Sequence, residues 1–178
     1  MALTRLGGAN AISGTIPQGN IANASLGAVT ALPAAITTGK VLQVVSASDQ
    51  TARTTTSSSF VTASNTLTVD ITPSSSSNKI YVIAHFNCYG SDSNTNIFYT
   101  LYRGSTNLGN GTNGMALHKP QYTTSYNTAS HNACIQILDE PSSSSQQTYQ
   151  VYFAAAGGTG HINYHSGKSV ITAMEVSA

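Results

Sequence analysis

From Lys40 to the C-terminus the chain is written in short apolar alternations separated by Ser, Thr, Asn, Gly and Pro. In "TLTVDIT", Leu67, Val69 and Ile71 share one parity, and Thr66, Thr68 and Asp70 the other. A period of two sends alternate side chains to opposite faces of a pleated ribbon, so this is a half-buried strand. The same logic groups Ile97, Tyr99 and Leu101, then Ile135 and Ile137, then Tyr149, Val151 and Phe153. "KIYVIAHFNCY" is apolar on both parities, which predicts a central strand covered on both faces. In "SVITAMEVS", Val170, Thr172, Met174 and Val176 fall on one parity and Glu175 on the other. "GKVLQVVSAS" supplies a first strand and "HINYH" a short late one. Eight or so strands without a sustained helical period predict an all-β fold, an antiparallel β-sandwich or jelly-roll-like head spanning residues 40–178.

Composition supports this class. Charged residues make up 7% of the 178 positions, and net charge is +1. The polar surface therefore comes from 24 Ser, 23 Thr and 14 Asn, which compete with helical hydrogen bonds. So few charges leave little to support exposed helices and no electrostatic footprint for nucleic acid. No run of eighteen apolar residues exists to insert into a membrane, and the N-terminus does not have the pattern of a secretory signal. Of the two cysteines, Cys88 shares the parity of Ile80, Val82 and Phe86, whereas Cys134 is opposite to Ile135 and Ile137. Side chains on different faces cannot be bridged, so two free thiols are expected, as in a protein made in a reducing cytoplasm. Asn23 and Asn110 begin glycosylation sequons by pattern alone.

An internal echo joins the halves. "LTVDITPSSSSNKIYVIAHF" aligns with "IQILDEPSSSSQQTYQVYFA", matching Pro73 to Pro141 and Tyr81 to Tyr149. Each copy is expected to be an antiparallel hairpin with a long connection, one in each of two Greek keys. Residues 104–130 are rich in Gly and Asn, with a short edge strand expected around Met115–Leu117. His118, Lys119, Tyr122 and Tyr126 in this stretch form a candidate receptor-contact loop, since Tyr on an adaptable loop suits recognition of a sugar or a protein. The competing reading packs them against the sandwich or a neighbouring subunit.

Residues 1–39 obey none of these patterns. They carry one charged side chain, Arg5, and nine large aliphatics: Leu3, Leu6, Ile12, Ile16, Ile21, Leu26, Val29, Leu32 and Ile36. Burying all nine would contribute roughly 20 kcal/mol. Ordering the backbone of such a segment costs about 40 kcal/mol or more, so it cannot fold alone. Its hydrophobicity and lack of charge are the reverse of a disordered tail. An extended attachment and oligomerisation arm, docked on other chains, satisfies both constraints.

Enzymatic motifs are weak. "SGKS" at Ser166–Ser169 invites a phosphate-loop reading, but the required upstream Gly is Ile162. There is no G-x-S-x-G elbow. Asp139 and Glu140 are adjacent, and neighbours on a strand point to opposite faces, which makes a poor acid/base pair. On the short strand "HINYH", His161, Asn163 and His165 share a face, where two imidazoles could bind a transition metal and three copies near a trimer axis could complete the coordination. No carboxylate or Cys completes that set within the chain. No catalytic residue, cofactor or metal site is therefore assigned.

The segments "MALTRLGGANAISGTIP", "GKVLQVVSA", "ITPSSSSNKIYVIA", "LYRGSTNLG", "ILDEPSSSSQQTYQVYF" and "ITAMEVSA" resemble the small fibre-like virion structural proteins of tailed bacteriophages, especially marine and cyanobacterial ones. The resemblance implies a tail or head fibre, usually a homotrimer, made in the host cytoplasm and carried on the virion exterior. It implies that residues 1–39 bind other virion proteins and that the head meets a host-surface glycan or protein. Two alternatives stand beside it: a capsid decoration or cement protein, and a carbohydrate-binding or carbohydrate-active module.

Overall fold

The computed structural model describes residues 40–64, 66–91, 95–119 and 130–178. The nine arm positions, and Tyr122 and Tyr126, lie outside these. The described residues form twelve strands: β1 (Val41–Asp49), β2 (Arg53–Thr55), β3 (Val61–Thr62), β4 (Thr68–Ile71), β5 (Lys79–Gly90), β6 (Asn96–Arg103), β7 (Thr106–Asn107), β8 (Ala116–His118), β9 (Ser130–Asp139), β10 (Gln147–Ala156), β11 (Gly160–Ile162) and β12 (Ser169–Val176). They make two antiparallel sheets, as the alternation predicts.

In the first sheet β9 pairs with one edge of β5. The other edge is shared by β12, along Lys79–His85, and β11, along Cys88–Gly90. β1 then pairs with β12, and β2 with β11. In the second sheet β10 lies between β6 and the consecutive short strands β4 and β3, while β8 and β7 pair with the far edge of β6. The main columns are thus β1-β12-β5-β9 and β4-β10-β6-β8. Pairing β1 with β12, β4 with β10, β5 with β9 and β6 with β8 nests the strands as one long hairpin folded over itself, which is a jelly roll.

The core lies between the sheets. Leu67, Val69, Ile71, Ile97, Tyr99, Leu101, Tyr149, Val151 and Phe153 face inward from the second sheet, as their parity predicts. Ile80, Val82, Ala84, Phe86 and Cys88 face them from β5. Phe86 and Tyr99 meet across the interior with ring centroids 4.7 Å apart. Cys88 is buried and Cys134 exposed, both as free thiols.

Three expectations are corrected. The echo is not a pair of hairpins, because β4 and β10 belong to one sheet and β5 and β9 to the other. Each Pro-Ser loop crosses between the sheets, and a strand of each copy pairs with one of the other copy. The facing also slips by one residue, so that Tyr149 is core while its echo mate Tyr81 points outward. On β12 the buried parity is Ser169, Ile171, Ala173 and Glu175, and the more apolar parity faces out. Finally, β5 is central in its sheet, yet among the described residues only one of its faces is covered.

Candidate functional site

The jelly roll has two unlike ends. β1 starts beside Val176 and Lys79, so Lys40, the C-terminus and the two Pro-Ser crossovers share one end. β5 runs from there for twelve residues, which is about 35–40 Å, to Gly90 at the other. At that far end β8 stops at His118 and β9 starts at Ser130.

Two features are built at the far end. The first is an aromatic cluster. Tyr89, at the end of β5, stacks on Tyr164 with ring centroids 4.2 Å apart and planes 17° from parallel. His161 lies 5.1 Å from Tyr89, and His165 lies 4.2 Å from Tyr164. The strand carrying His161 stops at Ile162, because Asn163 takes a left-handed conformation with φ 57°. His165 and Ser166 follow with φ 54° and 58°. Three non-glycine residues in this region within four positions cost backbone energy, which the surrounding contacts must supply.

Asn163 supplies much of it. It is fully buried, donates to the Asp49 carboxylate at 3.3 Å and to the Thr51 carbonyl at 3.0 Å, and accepts from the Ser169 hydroxyl. The expectation that His161, Asn163 and His165 share a strand face is therefore overturned: Asn163 turns inward as an anchor, and the histidines flank Tyr164. No group of three potential metal ligands is assembled among the described residues. Burial moves the His161 pKa below its ordinary value, so this imidazole is neutral at pH 7. The cluster thus presents partly exposed rings, suited to stacking on an apolar or sugar face. Alternation alone does not single out Tyr89, which reads as part of a central strand.

The second feature is a cavity of about 170 Å³ lined by Cys88, Tyr99, His118 and His131 among others. His118 does not project as a loop contact. It ends β8 opposite Ile97, is 9% exposed, and packs on His131 with ring centroids 4.3 Å apart. Lys119 follows it and is exposed. The Cys88 thiol donates to the His131 carbonyl at 3.3 Å. Burial pushes the Cys88 thiol above its ordinary pKa, and the buried Tyr99 phenol likewise. Both are protonated at neutral pH, which disfavours nucleophilic chemistry at this thiol.

The adjacent carboxylates separate as predicted. Asp139 is buried and accepts from Arg103 Nη1 and the Tyr149 hydroxyl, each at 2.6 Å. Glu140 is at the surface, 2.6 Å from Lys79 Nζ. Among the described residues, no helix is long and apolar enough to cross a membrane.

A scan of protein-family models found no match, and a search of curated proteins found none. Among solved structures, the chain is similar to that of infectious bursal disease virus Gt strain, at 10% identity and TM-score 0.38 over 75% of this chain and 36% of that one. The VP2 subviral particle of infectious bursal disease virus gives 10% identity and 0.35, over 75% and 39%. The Gx strain structure gives 9% and 0.36, over the same shares. The chain spans well under half the length of these chains, and its architecture stands on its own strand order.

Proposed function

We propose that the chain is a virion structural protein that works by holding and displaying: a fibre of a tailed bacteriophage, attached through residues 1–39, with the jelly-roll head on the particle exterior. The observation that carries this reading is the polarity of the head. The chain enters at Lys40, at one end of β5, while the aromatic cluster of Tyr89, His161, Tyr164 and His165 occupies the other. A segment that needs apolar partners thus joins the head at the end away from its presentable rings. The sequence resemblance supports the fibre, and the cost of ordering residues 1–39 alone supports their docking on other virion proteins. In this reading the far end meets a host-surface glycan or protein, and the chain carries no catalysis.

The test keeps the full chain and spoils only the segment. Ile12→Asp, Ile16→Asp and Ile21→Asp together should prevent incorporation when the variant replaces the natural chain during particle production. Head folding, read by circular dichroism, should be unchanged. Incorporation at the natural level would overturn the reading.

A further inference from the structure

The outer face of the first sheet carries the less expected half of two strand patterns. Val44 on β1, Met174 on β12, Tyr81 on β5 and Leu138 on β9 form one cross-strand row through all four columns. Beside it, Val41 pairs with Val176. The register shifts between Val41 and Gln43, so Leu42 is an extra residue in a bulge, a device that re-aims side chains. Val41, Leu42, Val44 and Leu138 are 55%, 46%, 56% and 51% exposed. These are four of the six exposed large hydrophobics among the described residues, and they gather at the Lys40 end of one face. The opposite half of that face is more mixed, with Ser46, Ser48, Thr172, His85 and Cys134 beside Ile83 and Val170.

We infer that this face is an interface with the like face of a second copy of the chain. The inference rests on reading the chain as an assembly component, and locates the contact between heads. Three observations select the occupant. Four strand columns by about eight residues span about 19 Å by 26 Å, or about 500 Å² from each copy. Two such faces reach the lower bound of about 1,000 Å² for a specific interface. The face is also close to neutral: Lys79 is held by Glu140, so like faces meet without charge repulsion. Its apolar part adjoins the Lys40 end, so heads joined through it bring their Lys40 ends together.

The test is sedimentation of the full-length chain across a concentration series, in reductant so that exposed Cys134 forms no disulfide. The natural chain should associate to a multiple of 18.4 kDa. Val44→Asp with Leu138→Asp should weaken that association at least about tenfold with an unchanged circular dichroism spectrum. Leu117→Asp, equally exposed but on the second sheet, should not weaken it. A natural chain that stays monomeric, or a double variant that associates as the natural chain does, overturns the inference. Incorporation into particles is read separately, so failure here leaves the arm reading to its own test.

Discussion

Replacing Arg103 with Met should destabilise the head by about 3 kcal/mol, a large share of the 5–15 kcal/mol typical of a domain. Arg103 ends β6 in the second sheet, and its guanidinium reaches Asp139 at the end of β9 in the first. The Tyr149 hydroxyl, from the core of β10, donates to the same carboxylate oxygen. Asp139 is 9% exposed and Arg103 25%, so removing the cation strands a poorly solvated charge with one remaining donor. Burial, first, and then the neighbouring carboxylate push the Tyr149 pKa well above its ordinary value, so the phenol stays a donor. For a chain of this size the loss corresponds to roughly 6–12 °C in Tm. Adding Asp139→Asn to Arg103→Met should recover part of it, because no buried charge then remains. A single variant that melts with the natural chain would show that the pair does not tie the sheets together.

Glu175→Ala should cost a similar amount, about 3 kcal/mol, by a different route. The carboxylate is 1% exposed and faces inward from β12. One oxygen accepts from the Ser74 amide and hydroxyl at 2.7 Å each and from Asn78 Nδ2 at 2.6 Å; the other accepts from Gln43 Nε2 at 2.6 Å. It therefore anchors the first Pro-Ser crossover and ties it to β1. Burial alone would raise this pKa, but donation from Asn78, Gln43 and Ser74 outweighs it and holds the group at about 2, against an ordinary 4.5. The folded state thus binds this proton less readily than the unfolded chain does. Its stabilisation is fully present above pH 4.5 and is lost as the pH falls towards 2. Melting curves of the natural chain should show that decline, and those of Glu175→Ala should show less of it. Parallel declines would remove Glu175 as the cause.

Alternation was legible wherever only one parity was apolar. Leu67/Val69/Ile71 and Tyr149/Val151/Phe153 needed nothing more, because a one-residue slip would expose the whole set. β5 and β12 defeated the same logic. Both parities of β5 are apolar, and on β12 the exposed set outnumbers the buried aliphatics, since that strand spends an inward position on a carboxylate. Glu175 belongs inside because the Ser- and Asn-rich crossover brings it donors, a demand that comes from another part of the chain. The echoed Pro-Ser loops did mark two equivalent connections. Loop length could not say whether they turn back within a sheet or cross between sheets, which depends on where β9 and β10 find partners. At the far end, the two histidines were visible and their separation was not. A left-handed Asn163 ends the strand, and its side chain is held by Asp49, more than a hundred positions earlier. Tyr89 gains its role only when β11 brings His161 beside it.

The most direct measurement is hydrogen–deuterium exchange along residues 1–39, comparing the full chain in dilute solution with the same chain on particles. If this segment finds its apolar core on neighbouring molecules, its amides should become protected by at least about tenfold on assembly, while protection in β5 and β10 changes little. Equal protection of residues 1–39 in the two states would contradict the account.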